Sequence, residues 1–566
     1  MDQPGSPAFR TYSTEAYRRG SRGVAPFVFI IGAVVVILAV AGAGAYIFLG
    51  SASHPNEGTA SYLPADTDIY FSLNMRPGAG QLLQVRSIIN RYTDNPDFLD
   101  KVDDLVNTVE DETKIHLIDD VLPWLGPELA IGIMNVGETQ EDTQVVAFIG
   151  TRDSEASERV LRRFVNFLED QEEADFLRDT YEGFTIYREI SRAESVHCAI
   201  TNDDLVVSAT ERLLEDTLDM MIKSEDALSD KQEFKDARAS VRERRFSFLY
   251  VDVDSIMNQA VNQGDIEDAL GTSNLRELRD RLPGILGVSS SFVDSGIRID
   301  GFYSTPLGSD IIPPVNSLGS AGLLPDDTMA LISVTGLKEI WDETEDALDI
   351  GPTMGGFEAG IGIDIDRDIL GWMTGEVAIA LLSSSLSSEP IFDFSSAIHA
   401  LAFFGFSDYR DAEDAMDNIV NALEDLGVRF DDVEIEGEEA TMVDLRAFMG
   451  TTAYNPGFIF LDNHLVLGTT QNALRTVVEV QNGDEDSLSD DSEFSRVMEM
   501  APENKNAIFF LNLKEIIEAV ETPMNPATRD SYRENVAPYI EPMRAFLVGG
   551  ETNEAATTFT LIITIE

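Results

Sequence analysis

The segment DVLPWLGPELAI at residues 120–131 recurs, with its spacing kept, as DILGWMTGEVAI at residues 368–379. Each copy places a tryptophan, Trp124 or Trp372, four residues before a glutamate, and each ends in an apolar run. This pattern predicts a helix end, a turn and then a strand. Because internal similarity at a fixed distance is typical of repeated units, the segment predicts a chain of two related halves.

Other segments match in the same order along the chain. LPADT at 63–67 corresponds to LPDDT at 324–328, and NDDLVV at 202–207 corresponds to DNHLVL at 462–467. LSDxxEF occurs at 228–234 and again at 488–494. We therefore predict two repeat domains, residues 62–304 and 322–566, joined by a linker at 305–321 that is rich in Pro, Gly and Ser.

Helix and strand signals alternate within each half. Residues 155–168 and 409–426 each follow a strand-like run and contain apolar residues with helical spacing, which predicts two helices. Asp153 and Asp408 precede these two segments and are the predicted N-caps. Short polar turns join other strands, which favours antiparallel pairing. The prediction is an α+β fold, with an antiparallel sheet flanked by helices in each domain and a cleft where the two halves pack face to face. The alternation at 557–565 predicts a C-terminal strand.

An apolar segment near the N-terminus predicts a membrane anchor. Residues 26–49 contain no charged side chain, and 24 residues of helix span about 36 Å, enough to cross a bilayer core. Arginines at 10, 18, 19 and 22 precede the segment, whereas acidic residues follow it. The positive-inside rule therefore predicts a cytoplasmic tail at 1–25, a transmembrane helix at 26–49, a linker at 50–61 and an extracytoplasmic remainder.

Two further readings of this segment stay open. A cleaved signal peptide is the alternative, with Ala41-Gly42-Ala43 as the cleavage region, but the apolar run is longer than usual for one. Small residues spaced four apart, Ala39 with Ala43 and Ala41 with Ala45, would let two such helices pack as a homodimer.

Composition limits the classes of partner and chemistry. The formal net charge is −61, which disfavours nucleic acid as a ligand and predicts an acidic, soluble surface. Cys198 is the only cysteine, so an intrachain disulfide is excluded, and its apolar neighbours predict a buried strand residue.

Searches for catalytic and metal motifs give weak candidates. Nucleophile-elbow, P-loop and HExxH patterns are absent, and we assign no catalytic or cofactor-binding residue. Asp364, Asp366 and Asp368 have the spacing of a calcium loop, but Ile369 and Gly375 replace its turn glycine and its final glutamate. Glu128 and Glu376 hold corresponding positions, and we expect both to accept hydrogen bonds from backbone amides of a turn.

The LPxDT opening, the LxWxxxExA block, the LSDxxEF block and the N-terminal anchor together resemble a family of bacterial membrane-anchored proteins with an exported domain of unknown function. The resemblance implies an extracytoplasmic placement and two linked halves. It implies no activity.

Function remains open at the level of sequence. The leading hypothesis is a non-enzymatic extracytoplasmic module that binds an unknown protein or small molecule, or that has a structural role in the envelope. The alternative is a carrier of lipid or another apolar ligand, and a hydrolase with a scattered site is the third. An apolar cavity would favour the carrier, whereas a polar cleft with perturbed carboxylates would favour an enzyme.

Overall fold

The computed structural model describes residues 57–75, 79–92, 115–136, 143–170, 175–191, 195–223, 225–263, 284–293, 295–304, 312–348, 362–382, 399–444, 455–522, 524–553 and 556–566. The predicted tail at 1–25 and anchor at 26–49 lie outside these ranges. Within the ranges, no helix combines the length and the hydropathy that crossing a bilayer requires.

The first half contains ten strands and five helices among the described residues. Their order is β1 Ile69–Asn74, α1 Ala79–Tyr92, β2 Leu125–Met134, β3 Gln144–Thr151, α2 Ser154–Asp170, β4 Phe176–Tyr181, β5 Phe184–Glu189, β6 His197–Ile200, β7 Asp204–Ser208, α3 Glu211–Lys223, α4 Gln232–Ser240, β8 Ser247–Asp252, α5 Val253–Gln263, β9 Ile285–Val293 and β10 Gly296–Ser304.

Among the described residues, the second half repeats this order and has two more helices before its last hairpin. The elements are β11 Ala330–Thr335, α6 Leu337–Leu348, β12 Met373–Leu381, β13 Ala400–Phe406, α7 Tyr409–Asp425, β14 Phe430–Ile435, β15 Glu438–Val443, β16 Gly457–Leu461, β17 His464–Gly468, α8 Gln471–Asn482, α9 Ser492–Met500, β18 Ala507–Asn512, α10 Leu513–Glu521, α11 Pro526–Asn535, α12 Ala537–Ile540, β19 Met543–Thr552 and β20 Ala556–Ile565.

Several predicted elements are confirmed. The helices expected at 155–168 and 409–426 are α2 and α7, and the expected C-terminal strand is β20. Asp153 accepts a hydrogen bond from the Ala156 amide at 2.9 Å, and Asp408 accepts one from the Arg410 amide at 2.9 Å, so both are N-caps. The α+β class with antiparallel pairing is likewise confirmed.

All strands of the described ranges belong to one antiparallel 20-stranded sheet. Its order in space is β4-β5-β6-β7-β3-β2-β1-β8-β9-β10-β20-β19-β18-β11-β12-β13-β17-β16-β15-β14. The second ten strands therefore repeat the order of the first ten in reverse, about the β10–β20 pair. The register agrees too, since Tyr70 faces Tyr250 and the corresponding Leu331 faces Phe510.

The expected face-to-face packing of two separate sheets is wrong. The halves join edge to edge instead, because β10 and β20 pair over nine residues from Gly296–Thr564 to Ser304–Ala556. At the middle of this pairing Asp300 faces Thr560, which lies 260 positions later and donates a 2.9 Å hydrogen bond to it. Arg298 binds the same carboxylate at 2.6 Å. Each half thus covers the edge strand of the other, which removes two exposed sheet edges.

One face of the sheet, which we call the covered face, carries most of the core. In the first half Phe234 of α4 makes edge contacts with the rings of Tyr70, Phe248 and Tyr250, at centroid distances of 5.3–5.7 Å. In the second half Phe494 of α9 packs on Phe510 at 4.9 Å. Helices α3 and α8 continue these clusters along the same face with buried leucines and valines.

The opposite face is covered mainly at its two flanks. Val160, Leu161 and Val165 of α2 pack against Leu129 and Leu205, and Trp124 closes that cluster. Ala412, Ala415 and Met416 of α7 pack with Trp372 and Leu465 at the other flank.

Part of each predicted linker is folded into the protein. Gly58–Tyr62 and Gly319–Gly322 form 3-10 turns at corresponding positions. Asn316, within the predicted linker at 305–321, is buried and donates a 2.7 Å hydrogen bond to the Ser333 hydroxyl. These turns matter for the site because their amides reach the two glutamates.

Candidate functional site

A β-bulge positions a glutamate at the same place in each half. The register between β2 and β3 shifts between Leu125 and Leu129, and the register between β12 and β13 shifts between Met373 and Val377. A bulge turns the local strand and re-aims a side chain. Gly150 and Gly405 face the two bulges, and a Cβ at either would come within about 3 Å of the glutamate's own backbone. Glu128 and Glu376 thereby lie within the bulged parts of β2 and β12.

Glu128 has three close donors in the first half. Its carboxylate accepts from the Gly58 amide at 3.2 Å, from the Thr59 hydroxyl at 2.7 Å and from the Tyr70 hydroxyl at 2.8 Å. The expected bond to a turn amide is therefore present. Burial acts to raise the pKa of Glu128, whereas the hydrogen bonds from Thr59 and Tyr70 act to lower it. Burial is the larger effect, and the pKa of Glu128 is about 7.

Asp204 stands near Glu128 at the start of β7. It faces Gly150 in the sheet and is buried. Burial, with the added charge of Asp203, raises the pKa of Asp204 to about 6. The Asp204 charge also raises the pKa of Glu128. Two carboxyl groups with raised pKa values therefore share this region of the first half.

Glu376 has a different environment. Its carboxylate accepts a 2.6 Å hydrogen bond from the Ser320 amide, so the expected amide contact is again present. The Ser333 hydroxyl lies 3.4 Å away, and His464 Nε2 lies 3.6 Å away. Burial acts to raise the pKa of Glu376, but hydrogen bonds from His464 and Ser320 outweigh it and hold this pKa below its ordinary value.

His464 replaces Asp204 at the corresponding position of β17. It faces Gly405 in the sheet, as Asp204 faces Gly150. Its ring packs edge-on against Phe403 at 6.2 Å, and its Nδ1 is buried without a hydrogen-bond partner among the described residues. Gly319 leaves room for the imidazole, because a Cβ there would lie 2.8 Å from Cε1.

A cleft of about 690 Å³ opens beside the Glu376–His464 pair. Its size is within the range of small-molecule sites. The lining is mostly polar, with two apolar walls: Ser317, Gly319, Leu323, Gly375, Glu376, Gly405, Phe406, Asp462, Asn463 and His464. We name it the Glu376 cleft. In the first half the Tyr70 hydroxyl reaches the corresponding carboxylate, whereas Leu331 stands at that position in the second half and has no hydroxyl.

The calcium candidates lie on a short π-helical turn, Ile365–Leu370, with Asp364 as its N-cap. Asp364 accepts from the Arg367 amide at 2.9 Å, and Asp368 accepts from the Arg367 guanidinium at 2.6 and 2.7 Å. Asp366 is exposed. No set of three or more His, Cys, Asp or Glu residues within the described ranges is arranged to hold a metal ion. Calcium binding at these three residues stays a prediction.

Cys198 is a buried residue of β6, as predicted. Burial raises the pKa of its thiol to about 12, with a further contribution from the Glu189 charge. A thiol in this state is a poor nucleophile.

Sequence reasoning found the two glutamates but missed the Glu376 cleft. The glutamates were recognisable because they align in the repeated segment. The cleft depends on differences between the halves, Leu331 for Tyr70 and His464 for Asp204, and on how Gly319 approaches a ring 145 positions away. The Asp204–His464 difference was a visible signal, but it says nothing about a cavity.

Comparisons with known proteins give a family and no activity. No curated protein matches this chain. Among solved structures, three crystal forms of TP0453 match at 9%, 12% and 14% identity, covering 45%, 46% and 45% of this chain and 80%, 83% and 81% of TP0453, with TM-scores of 0.24, 0.24 and 0.22. Residues 30–563 match the profile of one family, and the chain therefore belongs to the proteins of unknown function designated DUF3352.

Proposed function

We propose that this protein is a membrane-anchored, extracytoplasmic and non-enzymatic binding module that holds lipid acyl chains on one face of its sheet. Residues 1–25 are cytoplasmic in this proposal, 26–49 cross the membrane, and two duplicated domains follow. The mirrored strand order and the matching register support the duplication. Pairing of two anchors through their small residues belongs to the same proposal.

The supporting observation is an apolar, partly exposed face in the middle of the sheet, which we call the open face. One row of directly paired residues crosses six strands of it. These residues are Ile379, Ile332, Phe509, Val548, Leu561 and Ile299. Neighbours in register point to the same side of a sheet. All six are apolar, and all are partly or largely exposed.

A second row crosses the corresponding strands of the first half. Its members are Ile131, Phe71, Leu249, Val288 and Phe559, again apolar and partly exposed. Gly301 lies between Val288 and Phe559 in this row, and the Phe559 ring occupies the space where a Cβ of Gly301 would be. The apolar surface is therefore continuous across the β10–β20 junction.

An open face of this composition requires an apolar partner. Antiparallel sheets with one solvated face normally place polar side chains on that face. Here Ile379 is 56% exposed and Ile332 beside it is also exposed. Contiguous exposed apolar surface marks an interaction site. Six strands at about 4.8 Å spacing make the first row about 24 Å long, more than the roughly 15 Å of hydrocarbon in one leaflet.

The position of the anchor favours lipid over other apolar partners. Only residues 50–56 separate the predicted membrane segment from Glu57, the first described residue. Seven extended residues reach at most about 25 Å. The sheet is thus held within reach of the bilayer surface, where lipid is the abundant apolar molecule.

In-cell photo-crosslinking tests the proposal with the full-length chain. A photoreactive phenylalanine analogue placed at Ile332 or Ile379 is expected to crosslink to metabolically labelled phospholipid, because both positions belong to the open face. The matched control is Leu426, which is equally exposed at 56% but follows α7 outside the sheet. We expect no lipid adduct there. Adducts to a protein at 332 and 379, or no adduct at either, would refute lipid as the ligand.

A further inference from the structure

The Glu376 carboxylate has fewer close donors than its counterpart in the first half. Glu128 has donors at 2.7, 2.8 and 3.2 Å, whereas Glu376 has one contact at 2.6 Å and two long ones at 3.4 and 3.6 Å. The Glu376 side chain is only 2% exposed. A carboxylate can accept about four hydrogen bonds, and a buried one is costly when they are not made. The Glu376 cleft therefore has unused capacity to bind a donor.

The charge of the cleft selects a cation. Its lining contains two carboxylates, Glu376 and Asp462, and one imidazole, His464. Lys and Arg are absent from this lining. The pKa of Glu376 lies below its ordinary value, so the carboxylate is ionised near neutral pH. The whole chain is strongly acidic as well, which raises the local concentration of cations.

The remaining walls favour an organic cation over a metal ion. Leu323 and Phe406 give the cleft apolar surface, which suits carbon atoms beside a charged group. No triad of metal-ligating side chains is arranged for a metal within the described ranges. His464 Nδ1 is buried and has no partner in that part of the chain. Because Nε2 of the same ring faces the Glu376 carboxylate as a donor, Nδ1 can accept a hydrogen bond from a hydroxyl of the ligand.

We propose that the Glu376 cleft binds a primary ammonium group, with the Glu376 carboxylate as its main acceptor and His464 Nδ1 accepting a hydrogen bond from a neighbouring hydroxyl. Such a group can come from an aminolipid headgroup or from a soluble amine. The site is separate from the open face, and the proposal holds or fails independently of acyl-chain binding.

Ligand-observed NMR titration of the full-length chain in nanodiscs tests the site, with ethanolamine as the probe. We expect saturable binding to the wild type and binding weaker by about tenfold or more in Glu376→Gln, which keeps an acceptor for the Ser320 amide but loses the charge-assisted bond. The matched control is Glu128→Gln, the corresponding carboxylate whose donors are already present, and it should bind as the wild type does.

A second variant avoids the buried carboxylate. Ser317 is an exposed residue of the lining, and Ser317→Trp should fill the mouth of the cleft and reduce ethanolamine binding without disturbing the fold. Ethylene glycol, which lacks the charge, should not compete. No saturable binding to the wild type, undiminished binding to Glu376→Gln, or equal loss in Glu128→Gln would overturn the proposal.

The source of the amine is read from a competition experiment. Nanodiscs that contain phosphatidylethanolamine should displace ethanolamine if the headgroup enters the cleft, whereas nanodiscs with phosphatidylglycerol alone should not. Displacement supports an aminolipid, and retained ethanolamine binding in both lipids supports a soluble amine. If crosslinking at Ile332 fails while this titration succeeds, acyl-chain binding is refuted and the ammonium site stands.

Discussion

Arg245→Met is expected to lower the free energy of unfolding of the first half by about 3 kcal/mol, near the low end of the cost of breaking a buried ion pair. Arg245 is 4% exposed and contacts the fully buried Glu57 carboxylate at 2.6 Å. It also donates to the Arg238 and Arg242 carbonyls and lies over the Phe248 ring. Methionine keeps the apolar stem but leaves Glu57 poorly paired. The expected destabilisation is near the low end of the range for buried ion pairs because Arg238 still contacts Glu57 at 2.5 Å.

Arg238→Met is the matched control for this change. Its guanidinium contacts the same carboxylate but is 47% exposed, and ion pairs of exposed groups contribute about 0–1 kcal/mol. Hydrogen exchange measured by mass spectrometry can follow β1 and β8 in the first half, with β11 and β18 as internal references. Adding Glu57→Gln to Arg245→Met should recover part of the loss. Equal effects of the two arginine variants would contradict the buried-pair account.

The first half is expected to lose stability as the pH rises from about 5 to 8, and Glu128→Gln is expected to remove much of that loss. The ordinary pKa of glutamate is 4.5 and that of Glu128 in the fold is about 7. Between these values the unfolded chain releases a proton that the folded chain retains, so the unfolded state is favoured increasingly with pH. The difference between these two pKa values corresponds to about 3 kcal/mol once the pH exceeds 7.

Asp204 and Glu376 provide the comparisons for this prediction. The pKa of Asp204 is raised to about 6, so Asp204→Asn should reduce the same loss, although the two carboxyl groups interact and their effects do not add. Glu376 has the opposite effect on the pH dependence of stability, because its pKa in the fold is lowered. It stabilises the fold at pH values above the ordinary pKa of glutamate, and this stabilisation is lost as the pH falls. Glu376→Gln should therefore leave unchanged the loss of stability that the first half shows as the pH rises. A pH-independent first half in the wild type would contradict the assignment.

Local structure was predictable from the sequence where local rules decide it. The stripes of α2 and α7, their aspartate caps and the strand β20 follow from spacing within a single segment. The repeated segments also predicted that the two halves share an order of elements. Antiparallel pairing followed from the short turns between strands.

Long-range pairing was not predictable in this way. The β10–β20 junction depends on the registers of two strands 260 positions apart, and alternation within each strand is compatible with an exposed or a paired edge. The open face was hidden for a similar reason. Runs such as Ala507–Asn512 are apolar on both sides of the strand, so the sequence does not say that one side remains partly exposed.

The candidate site was predictable only as far as the two halves agree. Glu128 and Glu376 align, and their shared contact with a turn amide was expected. Their different chemistry depends on tertiary neighbours. Thr59 and Tyr70 donate hydrogen bonds to the Glu128 carboxylate, whereas Glu376 lines a cleft. The pairing of Glu57 with Arg245 joins positions 188 residues apart and has no local signal.

Fluorescence quenching by lipids that carry a nitroxide in the acyl chain tests the central claim most directly. A bimane fluorophore is attached to Ile332→Cys in the full-length chain in bilayers, where buried Cys198 does not react. If the open face binds acyl chains, quenching at position 332 should be strong, and quenching at Leu426→Cys, outside the sheet, should be weak. Equally weak quenching at both positions would contradict lipid binding by the open face.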